Sequence, residues 1–282
     1  MIDPKIAIAL GAGGARGIAH IHALQALDDL GITPVAITGT SIGAIMGAAF
    51  ASGMTGEDIH EYVDQLFNNR RQLLARLFKI RPESVRQFMD DGGIRFGEIN
   101  IERVLEVFLP PDIPENYSEL NIPLRVVATD YYQNRDRFFS EGLLRPTLAA
   151  SAAMPAIFLP VIIDGHVFID GGTTNPAPFD DLSTLADIVV AIDVSGGPKG
   201  DPGTRPGKID VVYAASQLMQ QSIVRAKAET HRVDILLRPD VADFRVLDFL
   251  RTSHVLDQSK ALRDDLKRAL SLAIDNFSVR NG

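Results

Sequence analysis

Residues 39–43 read Gly39-Thr40-Ser41-Ile42-Gly43, where one apolar stretch, residues 34–38 (PVAIT), hands over to another, residues 42–51 (IGAIMGAAFA). A serine between two glycines at such a junction restricts the local fold to a sharp strand-to-helix turn, because glycine lets backbone and helix crowd close beneath it. The serine hydroxyl then projects into open space above the amino terminus of the helix, whose partial positive charge favours negative charge developing on the oxygen. Taken alone, the pentapeptide fits a tight turn with a helix-capping serine about as well as a nucleophile. The apolar strand before it and the apolar helix after it are the context a nucleophile requires.

The rest of the chain reads the same way. Residues 5–10 form an apolar strand, a glycine-rich turn follows, and residues 17–30 carry Ile18, Ile21, Leu24 and Leu27 at helical spacing. Strand, turn and helix then repeat around Ser41, and such alternation predicts crossover connections and a mostly parallel sheet with helices on both faces. Further strands are predicted at residues 124–129, 137–139, 157–163, 167–169, 187–194 and 233–237, with helices at 208–229 and 258–276. We expect one domain over residues 1–282, with a helical insertion at about 56–108 and a C-terminal helical extension at about 208–282. The Gly- and Pro-rich stretch 195–207 reads as a surface loop.

Composition removes several classes of function. The chain has 282 residues, 46% of them hydrophobic, and no cysteine. Disulfides, thiolate metal sites and cysteine nucleophiles are therefore excluded, which leaves serine as the leading nucleophile. A net charge of −8 argues against a general nucleic-acid surface. No apolar run approaches the ~18 residues that cross a bilayer, and residues 6–10 are too short for a secretory signal, so a cytoplasmic protein is expected. One segment runs against the average: Arg70, Arg71, Arg76, Lys79, Arg81 and Arg86 outnumber the single acid Glu83. With Leu66, Leu73 and Leu77 at helical spacing it reads either as an ordinary surface helix or as a lid or membrane-surface helix.

Two further segments bear on chemistry. Gly11-Ala12-Gly13-Gly14-Ala15-Arg16-Gly17 follows the first strand, and its unshielded amides suit a developing negative charge. The competing reading is a dinucleotide-binding turn, which Gly11 and Gly13 begin to match and Arg16 breaks. Asp170, after residues 167–169 and before Gly171-Gly172, is placed to present a carboxylate at a strand end, although Asp-Gly is also a frequent turn dipeptide. A Ser-Asp-His triad in chain order would need His231 or His254, and neither stands in a recognisable motif. His20 and His22 fall on the first helix, His166 in a hairpin before Asp170, and no pair of histidines has a zinc spacing.

Together these segments resemble the bacterial patatin-like phospholipases. That family combines a Gly-Gly-Gly-X-Arg/Lys-Gly loop, a Gly-X-Ser-X-Gly elbow and an Asp-Gly-Gly/Ala motif, matched here by residues 12–17, 39–43 and 170–172. Ser151-Ala152-Ala153-Met154-Pro155 with Phe158 and Pro160 also resembles the segment preceding the family's aspartate. The likeness covers roughly residues 5–195. It implies a three-layer α/β fold, a dyad of Ser41 as nucleophile and Asp170 as general base, Gly13 and Gly14 as oxyanion donors, and no cofactor or metal. Arg16 would meet a lipid phosphate or brace the loop. The implied substrate is a phospholipid or other fatty acyl ester, met by peripheral association with the inner membrane surface. Acyl transfer by the same dyad and a noncatalytic lipid-binding protein on the same fold are the alternatives. Ala12, standing where the family usually has glycine, is the feature that favours the last; oligomeric state is not legible.

Overall fold

The structure, a computed structural model, describes residues 3–68, 99–201 and 203–281. Its strands are β1 (Ile6–Leu10), β2 (Ala36–Thr40), β3 (Leu124–Asp130), β4 (Arg135–Phe139), β5 (Val161–Ile163), β6 (His166–Asp170), β7 (Ile188–Ile192) and β8 (Ile235–Leu237). The α-helices among the described residues are α1 (His20–Asp29), α2 (Ile42–Ala51), α3 (Gly56–Asn68), α4 (Ile101–Phe108), α5 (Leu144–Ala152), α6 (Lys208–Thr230), α7 (Thr252–Ser259) and α8 (Ala261–Asn281).

Among the described residues all strands share one sheet in the order β5-β6-β3-β2-β1-β7-β8, with β4 also paired to β3. The pairs from β3 through β2, β1 and β7 to β8 are parallel, and β4, β5 and β6 join antiparallel. β1 explains why it lies centrally. Ile6, Ile8 and Leu10 belong to one hydrophobic cluster while Ala7 and Ala9 belong to a second. A strand apolar on both faces must be covered on both.

The two covers are unequal. The larger cluster takes in side chains of α1, α2, α3, α4, α5, α7 and α8, while the smaller one adds Phe179, Leu182 and Val224, the last from α6. Topology accounts for this. From β1 the chain advances through β2 to β3, then returns to the other edge of β1 for β7 and β8. Parallel crossovers are right-handed, so reversing the direction of advance puts the later connection, α6, on the opposite face. The reversal leaves a crevice beyond the carboxyl ends of β1 and β7, the place where open α/β sheets bind ligands.

A second topological detail sets the site. β3 has three partners and two edges. β4 pairs with residues 126–130 and takes one edge over that length. The other edge is divided, with β2 reaching to Val127 and β6 starting opposite Ala128. Because β2 runs parallel to β3 and β6 antiparallel, their carboxyl ends meet, Thr40 opposite Val127 and Asp170 opposite Ala128.

Several boundaries differ from the sequence expectations. The second strand runs to Thr40, directly into Ser41, because its pairing continues along β1 and β3. The first helix splits into a 3-10 turn, Gly14–Ala19, and α1. The strand expected at 157–163 is confined to Val161–Ile163, and Phe158 instead forms an isolated bridge to Ile99. The terminal helix expected at 258–276 is two helices meeting at Lys260. The insertion is helical at α3 and α4, while its basic run, residues 70–86, lies outside the described residues.

α2 sits on β1 at Gly43, where a Cβ would stand 2.1 Å from the Leu10 carbonyl oxygen and 2.5 Å from its carbon. Those atoms belong to the central strand and cannot yield, so Gly43→Ala is expected to lower stability by about 3 kcal/mol or more, beyond ordinary overpacking. A urea unfolding midpoint close to that of the wild type would show that α2 is not seated this way.

Candidate active site

Ser41 caps α2 with φ 56° and ψ −124°, a left-handed backbone that a residue with a side chain adopts at a cost of about 1–3 kcal/mol. Its neighbours hold it there. The Ser41 amide donates to Ser151 Oγ at 2.8 Å, and that hydroxyl donates onward to the Val127 carbonyl at 2.5 Å. The amides of Ala44 and Ile45 donate to the Ser41 carbonyl at 3.0 and 3.2 Å, which starts the helix directly under the serine.

The Ser41 hydroxyl donates to Asp170 Oδ2 at 2.7 Å, and the Gly172 amide donates to Oδ1 at 2.7 Å. The backbone of Asp170 is pinned as well, its amide on the Ala153 carbonyl at 2.9 Å and its carbonyl accepting from Thr129 Oγ1 at 3.0 Å. Burial pushes the Asp170 carboxyl up to about 6, outweighing the two donors, the Ser41 hydroxyl and the Gly172 amide, that favour the ionised form. Between the ordinary value and about 6 the folded state holds a proton that the unfolded chain has released. Stability therefore falls as pH rises through that window, and the ionised site at neutral pH costs on the order of 3 kcal/mol.

The glycine-rich loop lies across the same opening. Its Gly11, Ala12 and Ala15 amides donate to the carbonyls of Ile192, Pro176 and Val246 at 3.0, 2.7 and 2.8 Å. Among the described residues the Gly13 and Gly14 amides have no protein acceptor. Gly14 has φ +57°, and a Cβ there would stand 2.2 Å from the Val246 carbonyl oxygen, so glycine is required on both conformational and steric grounds. Gly13, Gly14, Ser41 and Asp170 all line one cavity of about 510 Å³, closed on its other side by Met154, Pro155, Val246 and residues of α6.

Arg16 is 1% exposed, and its Nε donates to the Gly13 carbonyl at 3.1 Å. With its amide oxygen turned inward, Gln217 of α6 accepts from both terminal nitrogens at 2.9 and 3.2 Å. The carbonyl and the amide of a trans peptide point in opposite directions. Fixing the Gly13 carbonyl therefore fixes the direction of the Gly14 amide. Burial lowers the guanidinium to about 10, opposed by the charge of Asp193, and it stays protonated at neutral pH. Arg16 thus hydrogen-bonds within the loop, as one of its two expected roles requires, and it also lines the cavity with Ser41 and Asp170, where the other role would place a lipid phosphate.

All six histidines are described, and none hydrogen-bonds to Ser41 or Asp170. His20 is fully buried with Nε2 on the Gly11 carbonyl at 2.9 Å, and burial lowers it to about 4. His22 meets Gln25 and the Leu256 carbonyl, and His166 pairs with Asp130 at 2.8 Å. Among the described residues no group of three His, Asp or Glu side chains is arranged to hold a metal ion.

A sequence profile of the patatin family, described as patatin-like phospholipase, matches residues 8–183. The chain belongs to the patatin-like phospholipase family. An uncharacterised NTE family protein of Mycobacterium bovis is 31% identical over 199 residues, covering 70% of this chain and 51% of that protein. The neuropathy target esterase sws of Drosophila melanogaster is 29% identical over 277 residues, covering 87% of this chain and 18% of the fly protein. VipD from Legionella pneumophila, a crystal structure, aligns with a TM-score of 0.45 at 15% identity over 92% of this chain and 67% of its own. The chain spans about half the length of the mycobacterial relative and less than a fifth of the fly protein.

The structure brings Ser41, Asp170, Gly13, Gly14 and Arg16 to the lining of one cavity. Sequence reasoning did not single out Ser151 as a support for Ser41, because it bonds only to backbone groups, nor Gln217, which sits in a long helix with no motif around it. Removing the Ser151 hydroxyl leaves the buried Ser41 amide without its acceptor. Ser151→Ala is accordingly expected to lose about 1–3 kcal/mol of stability in urea titration, and a loss below half a kcal/mol would mean that the bridge bears no load.

Proposed function

We propose that this chain is a serine lipid acyl hydrolase that cleaves fatty acyl esters of phospholipid, lysophospholipid or a related lipid through Ser41 and Asp170. The reading is carried by the 2.7 Å contact between the Ser41 hydroxyl and Asp170 Oδ2, inside a cavity also lined by Gly13 and Gly14, whose amides have no acceptor among the described residues.

In this mechanism Asp170 takes the hydroxyl proton as Ser41 Oγ attacks the ester carbonyl, and the carbonyl π electrons move onto oxygen. The Gly13 and Gly14 amides donate to that oxyanion, aided by the amino terminus of α2 beneath Ser41. Collapse of the tetrahedral intermediate breaks the bond to the alcohol, which leaves with the proton from Asp170. Water then loses a proton to the same carboxylate, attacks the acyl-serine and releases the fatty acid. Serine and carboxylate are regenerated. An aspartate raised to about 6 by burial is a stronger base than an exposed one, so the desolvation that costs stability serves proton transfer.

Ala12 does not speak against catalysis. Its amide is already committed to the Pro176 carbonyl, so the residue at this position supplies no oxyanion donor whatever its side chain. A Cβ at Gly172 would stand 3.0 Å from the Ala12 methyl, so the methyl lies alongside the Asp-Gly-Gly turn. A fluorophosphonate probe that leaves Ser41 unlabelled in folded protein would turn the reading toward noncatalytic lipid binding.

Ser41→Ala and Asp170→Asn are each expected to lower ester turnover by about a thousandfold or more while leaving the circular dichroism spectrum unchanged. Full activity in Asp170→Asn would refute the dyad. Because only the ionised carboxylate accepts a proton, kcat/KM on a soluble ester should rise tenfold per pH unit below about 6 and level off above it. A profile flat down to pH 4 would mean that Asp170 is not the titrating base.

A further inference from the structure

α6 stands at the cavity and also forms part of the protein surface. Tyr213, Ser216, Gln217 and Gln220 line the cavity together with Val212, while Val224, further along the helix, is fully buried against the sheet. At 100° per residue these positions occupy one side of the helix. The adjoining arc carries Val211, Ala215, Leu218, Met219 and Ser222, all exposed. Val211 is 48% exposed, Val212 67%, Leu218 49% and Met219 61%. Residues 211–224 contain no Asp, Glu, Lys or Arg, in a chain where 23% of residues are charged.

A helix that leaves four large apolar side chains in water and carries no charge for fourteen residues lacks the polar outer face of an ordinary surface helix. The apolar arc is continuous with the cavity. Val212 and Ser216 belong to both, being exposed and lining the pocket. The patch extends past the helix. Arg245 pairs with Asp210 on the first turn of α6 at 3.7 Å, which keeps the following residues at that end; Val246 lines the cavity and Leu247 is 48% exposed.

We propose that this outer arc of α6, with Leu247, is the surface on which the chain rests on a lipid aggregate of no net charge, delivering acyl chains past Val212 into the cavity. The proposal rests on the hydrolase reading for the purpose of the cavity, and on exposure and charge for the surface itself. The absence of charge selects the partner. An anionic membrane would be met by a cluster of lysines and arginines, whereas this arc offers apolar area and small hydroxyls, with the Arg225 guanidinium touching it at one end through Ser222 Oγ at 3.3 Å, a balance that suits a zwitterionic or neutral lipid surface. The basic run at residues 70–86, which lies outside the described residues, makes the opposite demand on salt and lipid charge.

The test uses large unilamellar vesicles of pure phosphatidylcholine and the full chain carrying Ser41→Ala, so that no hydrolysis alters the vesicles. The protein is expected to float with these vesicles equally at low and high salt. Adding Leu218→Glu and Met219→Glu, neither of which lines the cavity, should weaken flotation about tenfold or more. In the active protein the same pair should leave kcat/KM on a soluble short-chain ester within about twofold and lower vesicle hydrolysis in proportion to the lost flotation. Leu218→Gln with Met219→Gln, which retains good helix formers, should give the same pattern with a smaller loss and guards against misfolding of the charged variant.

Flotation unaffected by either pair overturns the proposal, as does binding that requires anionic lipid and disappears in high salt. A wild-type dimer in sedimentation velocity that these substitutions convert to monomer also overturns it, because the arc is then covered by a second copy of the chain. Flotation lost on substitution in a protein inactive on every ester supports the surface while sinking the hydrolase reading, so the two fail separately.

Discussion

The division of one edge of β3 between two strands of opposite direction is the constraint on which the site depends. β2 holds that edge up to Val127 and β6 takes it over at Ala128, so two strand ends more than a hundred residues apart in sequence are set head to head by backbone hydrogen bonds. Side-chain attraction between Ser41 and Asp170 is not needed to bring them together. The 2.7 Å contact between them is a consequence of register, and register is costly to shift because a slip of one residue would turn every side chain of β6 to the other face. Phe168, fully buried, would be driven out by such a slip.

Onto this frame the site adds two locally unfavourable features. Ser41 sits at φ 56°, and the Asp170 carboxyl is buried far enough to rise to about 6. Each would relax if free to do so. They persist because their neighbours are over-determined: Ser151 ties Ser41 to β3, Gly43 lets α2 press on β1, and Arg16 fixes the Gly13–Gly14 peptide. The proposed chemistry draws on the same strain, since a carboxylate held out of water is a better base and an amide with no acceptor is a better oxyanion donor.

Much of this was legible in the chain. The glycines at 39 and 43 and the apolar runs around them specify the elbow locally, and β1 announces its central position through its alternation of large and small apolar residues. The clustering of Ser41, Asp170, Gly13 and Gly14 was available as well, though only through a family resemblance spread over three motifs. What was hidden is long-range. Nothing near Ser151 states that its hydroxyl will bridge the Ser41 amide to β3, and nothing near Arg16 states that it will meet the Gly13 carbonyl and Gln217 of α6. Strand limits at Val161 and Ile188 and the break at Lys260 likewise depend on partners elsewhere in the sheet and core.

α6 shows the same limit from the other side. Its fourteen uncharged residues are visible in the sequence, which predicts a helix there, while the exposure of four large apolar side chains on it is known only from the fold. The reversal of strand order places it on the thinly covered face, where the sheet beneath offers mainly alanine and valine and engages it fully through Val224. The half of the helix nearer its amino terminus is left over the crevice instead. The proposed dyad would gain from such a cover. Asp170 is tuned by burial first and then by the Ser41 hydroxyl and the Gly172 amide, and an apolar helix bordered by lipid would add to that burial by keeping water out. On this argument the proposed lipid surface and the environment that would set the proposed base are one structural element.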